Sequence, residues 1–127
     1  MAMRILVIDD DPLTLHMIKR GLEESSYEVT TCDSGYKALC LLEENHYDFV
    51  LCDVFMPELS GLIVANLLRQ YYDHSVPLLF MSSDKNIGTL IRQRLGNSFE
   101  IINKPVSFTT LTQKIEQYTK NRGTATA

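Results

Sequence analysis

At 127 residues, 45% hydrophobic and 22% charged, the chain has room for one domain of the common ~100–150-residue size, and the composition excludes a disordered or collagen-like polypeptide. No apolar run approaches the ~18–20 residues of a membrane helix, and the short run after Met1-Ala2-Met3-Arg4 is cut off by acids, unlike a secretory signal, so no membrane contact and a cytoplasmic location are expected. The net charge of −4 argues against direct nucleic-acid binding, but it is unevenly spread: residues 1–60 hold twelve acids and four bases, residues 61–127 four acids and eight bases.

Short apolar or β-branched runs alternate with helical patterns along the chain. Ile5-Leu6-Val7-Ile8 reads as a strand buried on both faces, followed by a helix with Leu15, Ile18 and Leu22 on one side. Tyr27–Thr31 alternates as a strand, Asp33-Ser34-Gly35 punctuates, and Ala38, Leu39, Leu41 and Leu42 mark a second helix. Phe49–Cys52 is a third strand; beyond a loop containing Pro57 and Gly61, Ile63 and Leu67 lie on a third helix. Pro77–Met81 is a fourth strand, residues 85–95 form a helix despite Gly88, and Phe99–Ile102 is a fifth strand. Phe108, Leu111, Ile115 and Tyr118 then share one helical face.

Five strand-then-helix units imply parallel pairing, because right-handed crossovers put helices on both sheet faces. The expected fold is α/β, a doubly wound five-stranded parallel sheet. Residues 1–120 form the domain, and 121–127 read as a flexible tail or linker stub. Cys32, Cys40 and Cys52 lack disulfide or zinc spacing and are expected as reduced core thiols, while His16, His46 and His74 stand alone.

In such a sheet the ligand lies beyond the carboxyl ends of the strands. Those ends carry Asp9, Asp10 and Asp11, then Asp53, then Ser82 and Ser83, then Lys104. Pro12 suits a first helical position, so Asp11 reads as the helix N-cap. Asp9 and Asp10 have no cationic neighbour in sequence; beside Asp53 they make a cluster of hard oxygen donors suited to Mg2+. Lys104 supplies a cation able to pair Asp53 or anything attached to it, and Ser82 a hydroxyl donor.

The set of Asp9-Asp10, Asp53-Val54-Phe55-Met56-Pro57 with Gly61, Ser82-Ser83 and Lys104-Pro105, spread in order over residues 4–120, resembles the receiver domain of two-component response regulators. The resemblance implies a flavodoxin-like sheet of strand order 2-1-3-4-5. It implies that Asp53 accepts a phosphoryl group from a sensor histidine kinase or histidine phosphotransfer protein. Asp10, Asp53 and the backbone carbonyl of Phe55 would hold Mg2+, Asp9 acting largely through water, while Ser82 and Lys104 would contact phosphoryl oxygens. It further implies a cis Lys104-Pro105 bond, control of a downstream effector domain or protein, and homodimerisation through the last helix-strand-helix face as one mode of output. Such a domain is no turnover enzyme, since it promotes only its own phosphorylation and dephosphorylation.

Two positions depart from the family pattern. Ile101 stands where an aromatic switch residue is usual, with Phe99 two residues earlier on the same strand face. Phe55 stands where a polar side chain often helps position the water that attacks the phosphoryl group. Among rival readings, an FMN carrier needs phosphate-binding amides where three aspartates stand, and a haloacid-dehalogenase phosphatase needs an acid where Phe55 stands. A non-phosphorylated pseudo-receiver, acting as a docking domain, is the remaining alternative.

Overall fold

A computed structural model describes residues 2–72, 75–96 and 99–126. Five strands, β1 (Arg4–Ile8), β2 (Glu28–Cys32), β3 (Phe49–Asp53), β4 (Leu78–Ser82) and β5 (Glu100–Asn103), alternate with five helices, α1 (Pro12–Glu24), α2 (Gly35–Glu44), α3 (Gly61–Leu67), α4 (Ile87–Leu95) and α5 (Phe108–Thr126). All pairings are parallel and the sheet order is β2-β1-β3-β4-β5, the flavodoxin-like order expected from the motif set.

Pleat alternation divides the core into two layers. Ile5, Val7, Phe49, Leu51, Leu79 and Met81 face α1 and α5, meeting Leu15, Ile18, Leu22, Leu111 and Ile115. Leu6, Ile8, Val50, Cys52 and Phe80 face α2, α3 and α4, meeting Ala38, Leu42, Val64, Ala65 and Ile91. Each fully buried Val, Leu, Ile, Phe or Met side chain stabilises the fold by roughly 1.5–3 kcal/mol relative to exposure. Because β1, β3 and β4 are covered on both sides, their sequences run almost continuously apolar.

Polar side chains set where helices begin. Asp11 caps α1, its Oδ1 accepting from the Leu13 amide at 3.2 Å and its Oδ2 from the Thr14 hydroxyl at 2.7 Å. Ser34 caps α2 through the Lys37 amide, and Ser60 caps α3 through the Ile63 amide. These caps fix how each loop leaves the carboxyl edge of the sheet.

Three features differ from the expectations. α5 runs on to Thr126, so residues 121–126, which read as a tail, continue the helix; extending an existing helix needs only backbone bonds and no apolar stripe. α3 passes into a π-helical turn, Leu68–Tyr72, that apolar periodicity does not announce. Cys32 and Cys52 are buried thiols, but Cys40 is exposed on α2. His16 and His46 are exposed, His46 beside Asp48 rather than alone, and His74 lies outside the described residues.

Candidate functional site

Register brings the charged strand ends together. Ile8 stands opposite Cys52, so Asp9 leaves β1 alongside Asp53 at the end of β3; Asp53 in turn pairs with Met81, and Ser82 with Asn103, the residue before Lys104. Asp9 is fully buried, Asp53 is 6% exposed and Ser82 1%, while Asp10 reaches solvent. One ligand oxygen from each of Asp9, Asp10 and Asp53 falls within 4.8 Å of the others.

Lys104 closes this cluster from the end of β5. Its Nζ lies 2.7 Å from Asp9 Oδ2 and 3.1 Å from Asp53 Oδ2. Sequence order points only to the Asp53 pairing, because nothing in it connects positions 9 and 104. Asp9 Oδ1 accepts the Asp11 amide at 3.0 Å, and Asp53 Oδ1 accepts the Phe55 amide at 3.3 Å. Burial, and then the charge of Asp9, push the Asp53 carboxyl up to about 6 against the opposing pull of Lys104. Burial pulls the Lys104 ammonium down, but its contacts with Asp9 and Asp53 outweigh this and hold it above the ordinary lysine value.

Two acids sharing one cation leave the cleft short of positive charge. Asp9 Oδ2, although buried, has no well-aligned hydrogen bond among the described residues and relies on the ion contact to Lys104. A buried carboxylate oxygen with spare capacity beside two further carboxylates is a donor set fitted to a small hard cation such as Mg2+.

Glycine at 61 has a steric cause. A Cβ there would sit 2.1 Å from the Asp53 carbonyl oxygen and 3.1 Å from Cys52 Sγ, so the loop can fold back onto β3 only without a side chain. The Gly61 amide also donates to the Val54 carbonyl at 2.9 Å, fastening that return. Glu58, within the same loop, has φ of 68°, a left-handed conformation uncommon outside glycine and asparagine.

The remaining singled-out residues surround the cleft. Ser82 Oγ accepts the Asp84 amide at 3.0 Å, which leaves its hydroxyl proton able to donate elsewhere. The Lys104-Pro105 peptide bond is cis. Phe55 is 54% exposed, two residues beyond Asp53. Ile101 packs with Phe99 against the core layer beneath α2, α3 and α4, and the Phe99 ring lies 5.5 Å from that of Phe80 with the Arg69 guanidinium 5.2 Å above it. Phe99 and Ile101 therefore do share a side of the sheet, although β5 begins one residue after Phe99.

No helix among the described residues is long and apolar enough to cross a membrane. Residues 5–116 match the family model of the response regulator receiver domain. The chain is 34% identical over 107 residues to the two-component response regulator ORR21 of Oryza sativa subsp. indica, covering 83% of this chain but only 15% of that protein. It is 29% identical over 119 residues to the polar-differentiation response regulator DivK of Brucella ovis, covering 93% of this chain and 97% of DivK. Among solved structures, the response regulator TrrA of Thermotoga maritima in complex with Mg2+-BeF superimposes with a TM-score of 0.80 at 30% identity, covering 91% of this chain and 98% of that one.

Proposed function

The chain belongs to the response regulator receiver domain family, and on that premise we propose that it accepts a phosphoryl group on Asp53 from a histidine kinase or histidine phosphotransfer protein in a Mg2+-dependent reaction and then changes conformation to control an effector. The observation that carries the reading is the pairing of Asp53 Oδ2 with Lys104 Nζ at 3.1 Å in a cleft that also gathers Asp9 and Asp10.

In this reading an Asp53 carboxylate oxygen attacks the phosphorus of a phosphohistidine. The new O–P bond forms as the P–N bond breaks, and the electron pair leaves on the imidazole, which takes up a proton from solvent. Lys104 turns from Asp53 Oδ2 to a phosphoryl oxygen, and the Ser82 hydroxyl donates to another. Asp10, Asp53 and the Phe55 carbonyl would hold Mg2+, with Asp9 acting largely through water. The bound cation supplies positive charge against the negative charge spreading over the phosphoryl oxygens. The domain promotes only its own phosphorylation and dephosphorylation and is no turnover enzyme.

The phosphoryl donor has an apolar surface to rest on. Leu13 and Met17 are exposed on α1, and Met17 borders a hollow of about 90 Å3 with Pro105, Val106 and Phe108, whose edge is Lys104 itself. Output is assigned to the face of α4, β5 and α5, including pairing of two copies there. With Ile101 in place of an aromatic, the Ser82 hydroxyl carries the inner end of that response.

Beryllofluoride with Mg2+ imitates an acyl phosphate and tests the reading directly. It should shift amide resonances around Asp53, Ser82 and Lys104 in the parent and leave Asp53→Ala unmoved; equal spectra in the two proteins would refute phosphoacceptance at Asp53. Phe55 offers no polar atom on its side chain to orient an attacking water, so the phosphorylated form should be long-lived. Phe55→Asn should shorten its half-life roughly tenfold, measured by loss of phosphate from purified protein; fast loss from the parent would sink this prediction.

A further inference from the structure

The outer side of α3 and of the π turn that follows it carries an exposed apolar surface that phosphoryl chemistry does not use. Val64, Ala65 and Leu68 turn the inner side of α3 and its π turn into the core, which leaves Ile63, Tyr71 and Tyr72 outward; Tyr71 is 73% exposed. Leu67 is half-buried between them. Two tyrosines and a β-branched residue grouped in solvent mark a surface that gains by being covered. A single π turn is also a local distortion that tends to occur at functional surfaces, and here it is the element that presents both tyrosines.

On its α2 side this surface is edged by acids, while the nearby cations are engaged elsewhere: the Arg4 guanidinium donates to the His46 carbonyl and lies over the Tyr47 ring, and that of Arg69 lies over Phe99. Tyr72 lines a hollow of about 230 Å3 together with Glu43 and Glu44, the last two residues of α2. His46, which also lines it, is turned to Asp48, its Nε2 3.4 Å from Oδ1. Neither glutamate forms an ion pair among the described residues, and the last turn of α2 holds no base. Both carboxylates therefore add to the negative pole of their helix instead of offsetting it. An aromatic ring beside two uncompensated carboxylates is a setting that favours a lysine or arginine side chain.

We propose that this face, Ile63, Leu67, Tyr71 and Tyr72 with the acidic edge Glu43 and Glu44, docks a basic amphipathic helix of a partner protein. The partner's apolar side covers the α3 and π-turn residues, and its cations enter the hollow at the end of α2. A second copy of this chain is the less favourable occupant. Two-fold pairing of the same face would offer the carboxylates of Glu43 and Glu44, from residues 61–72, only Arg69, whose guanidinium already lies over the Phe99 ring.

The test uses the full chain and a synthetic helical peptide of leucine and lysine, with leucines at i, i+3, i+4 and i+7. Its control is the same pattern with glutamate in place of lysine. Titration followed by amide resonances should perturb residues 43–44 and 63–72 with the lysine peptide and leave them unmoved with the glutamate peptide. Tyr71→Ala should weaken binding by about tenfold or more. Glu43→Gln with Glu44→Gln should weaken it about fivefold and flatten its salt dependence. Amide spectra of the free variants that match the parent's away from the substituted sites show that they remain folded. Absence of binding, perturbation centred on another face, equal binding of both peptides, indifference to the substitutions, or self-association of the chain through residues 63–72 would each overturn the proposal.

Discussion

Lys104→Met is expected to lower the yield of phosphorylated protein roughly 10²-fold and to destabilise the metal-free fold by roughly 2–4 kcal/mol near neutral pH. The kinetic loss follows from removing the cation that would meet the transferred group. The stability loss follows from burial: Asp9 is fully buried and Asp53 nearly so, and Lys104 is their shared partner. Breaking such a pair strands the acids, although the 21% exposure of Lys104 keeps the effect below the full cost of a dry ion pair.

The pH dependence has a definite sign. The folded-state pKa of Asp53 stands at about 6, above its ordinary 3.8, so the folded protein binds that proton more tightly than the unfolded chain does. The stability it contributes is full below its unfolded value and is lost as pH rises from about 4 through about 6. Lys104, whose pKa is raised, contributes stability that is full below its unfolded value of 10.5 and is lost as pH rises through its folded value. Because Lys104 holds the Asp53 pKa down, the penalty of Lys104→Met should be largest toward about pH 10, fall as pH drops to about 6, and stay at its smallest below that, where Asp53 is protonated with or without the lysine. Denaturant melts in a chelator at about pH 5 and about pH 8 check this; a penalty equal at both values would contradict the electrostatic assignment.

Gly61→Ala should lower stability by about 1–3 kcal/mol and weaken beryllofluoride binding, because a methyl group 2.1 Å from the Asp53 carbonyl oxygen forces the loop off β3 and moves the acceptor with it. Gly88→Ala is the matched control. Its Cβ would find nothing nearer than Arg92 at 3.5 Å, and alanine in place of glycine inside α4 should stabilise by up to about 1 kcal/mol. Thermal unfolding of the two variants should move in opposite directions. A parallel loss in both would mean that the return of the chain at Gly61 is not the constraint described.

Much of the site was legible because each of its residues ends an apolar run. Ile5–Ile8 and Phe49–Cys52 are too apolar to be anything but doubly covered strands, so Asp9 and Asp53 had to emerge at the same sheet edge. Pro12 after Asp11 announced both the cap and the start of α1. What primary order could not express was the third dimension of charge: that Lys104 reaches Asp9 as well as Asp53, and that Glu43 and Glu44 share a hollow with Tyr72. The π turn at Leu68–Tyr72 escaped because one extra residue per turn shifts an apolar stripe too little to be seen over so short a stretch. The continuation of α5 to Thr126 escaped because helix propagation leaves no apolar pattern to read.

The central claim, phosphoryl acceptance by Asp53, is tested most directly by intact-mass measurement after incubation with acetyl phosphate and Mg2+. The parent should gain one phosphoryl group, lost again on treatment with hydroxylamine as an acyl phosphate must be, and Asp53→Ala should gain none. No gain in the parent, or the same gain in both proteins, would contradict it.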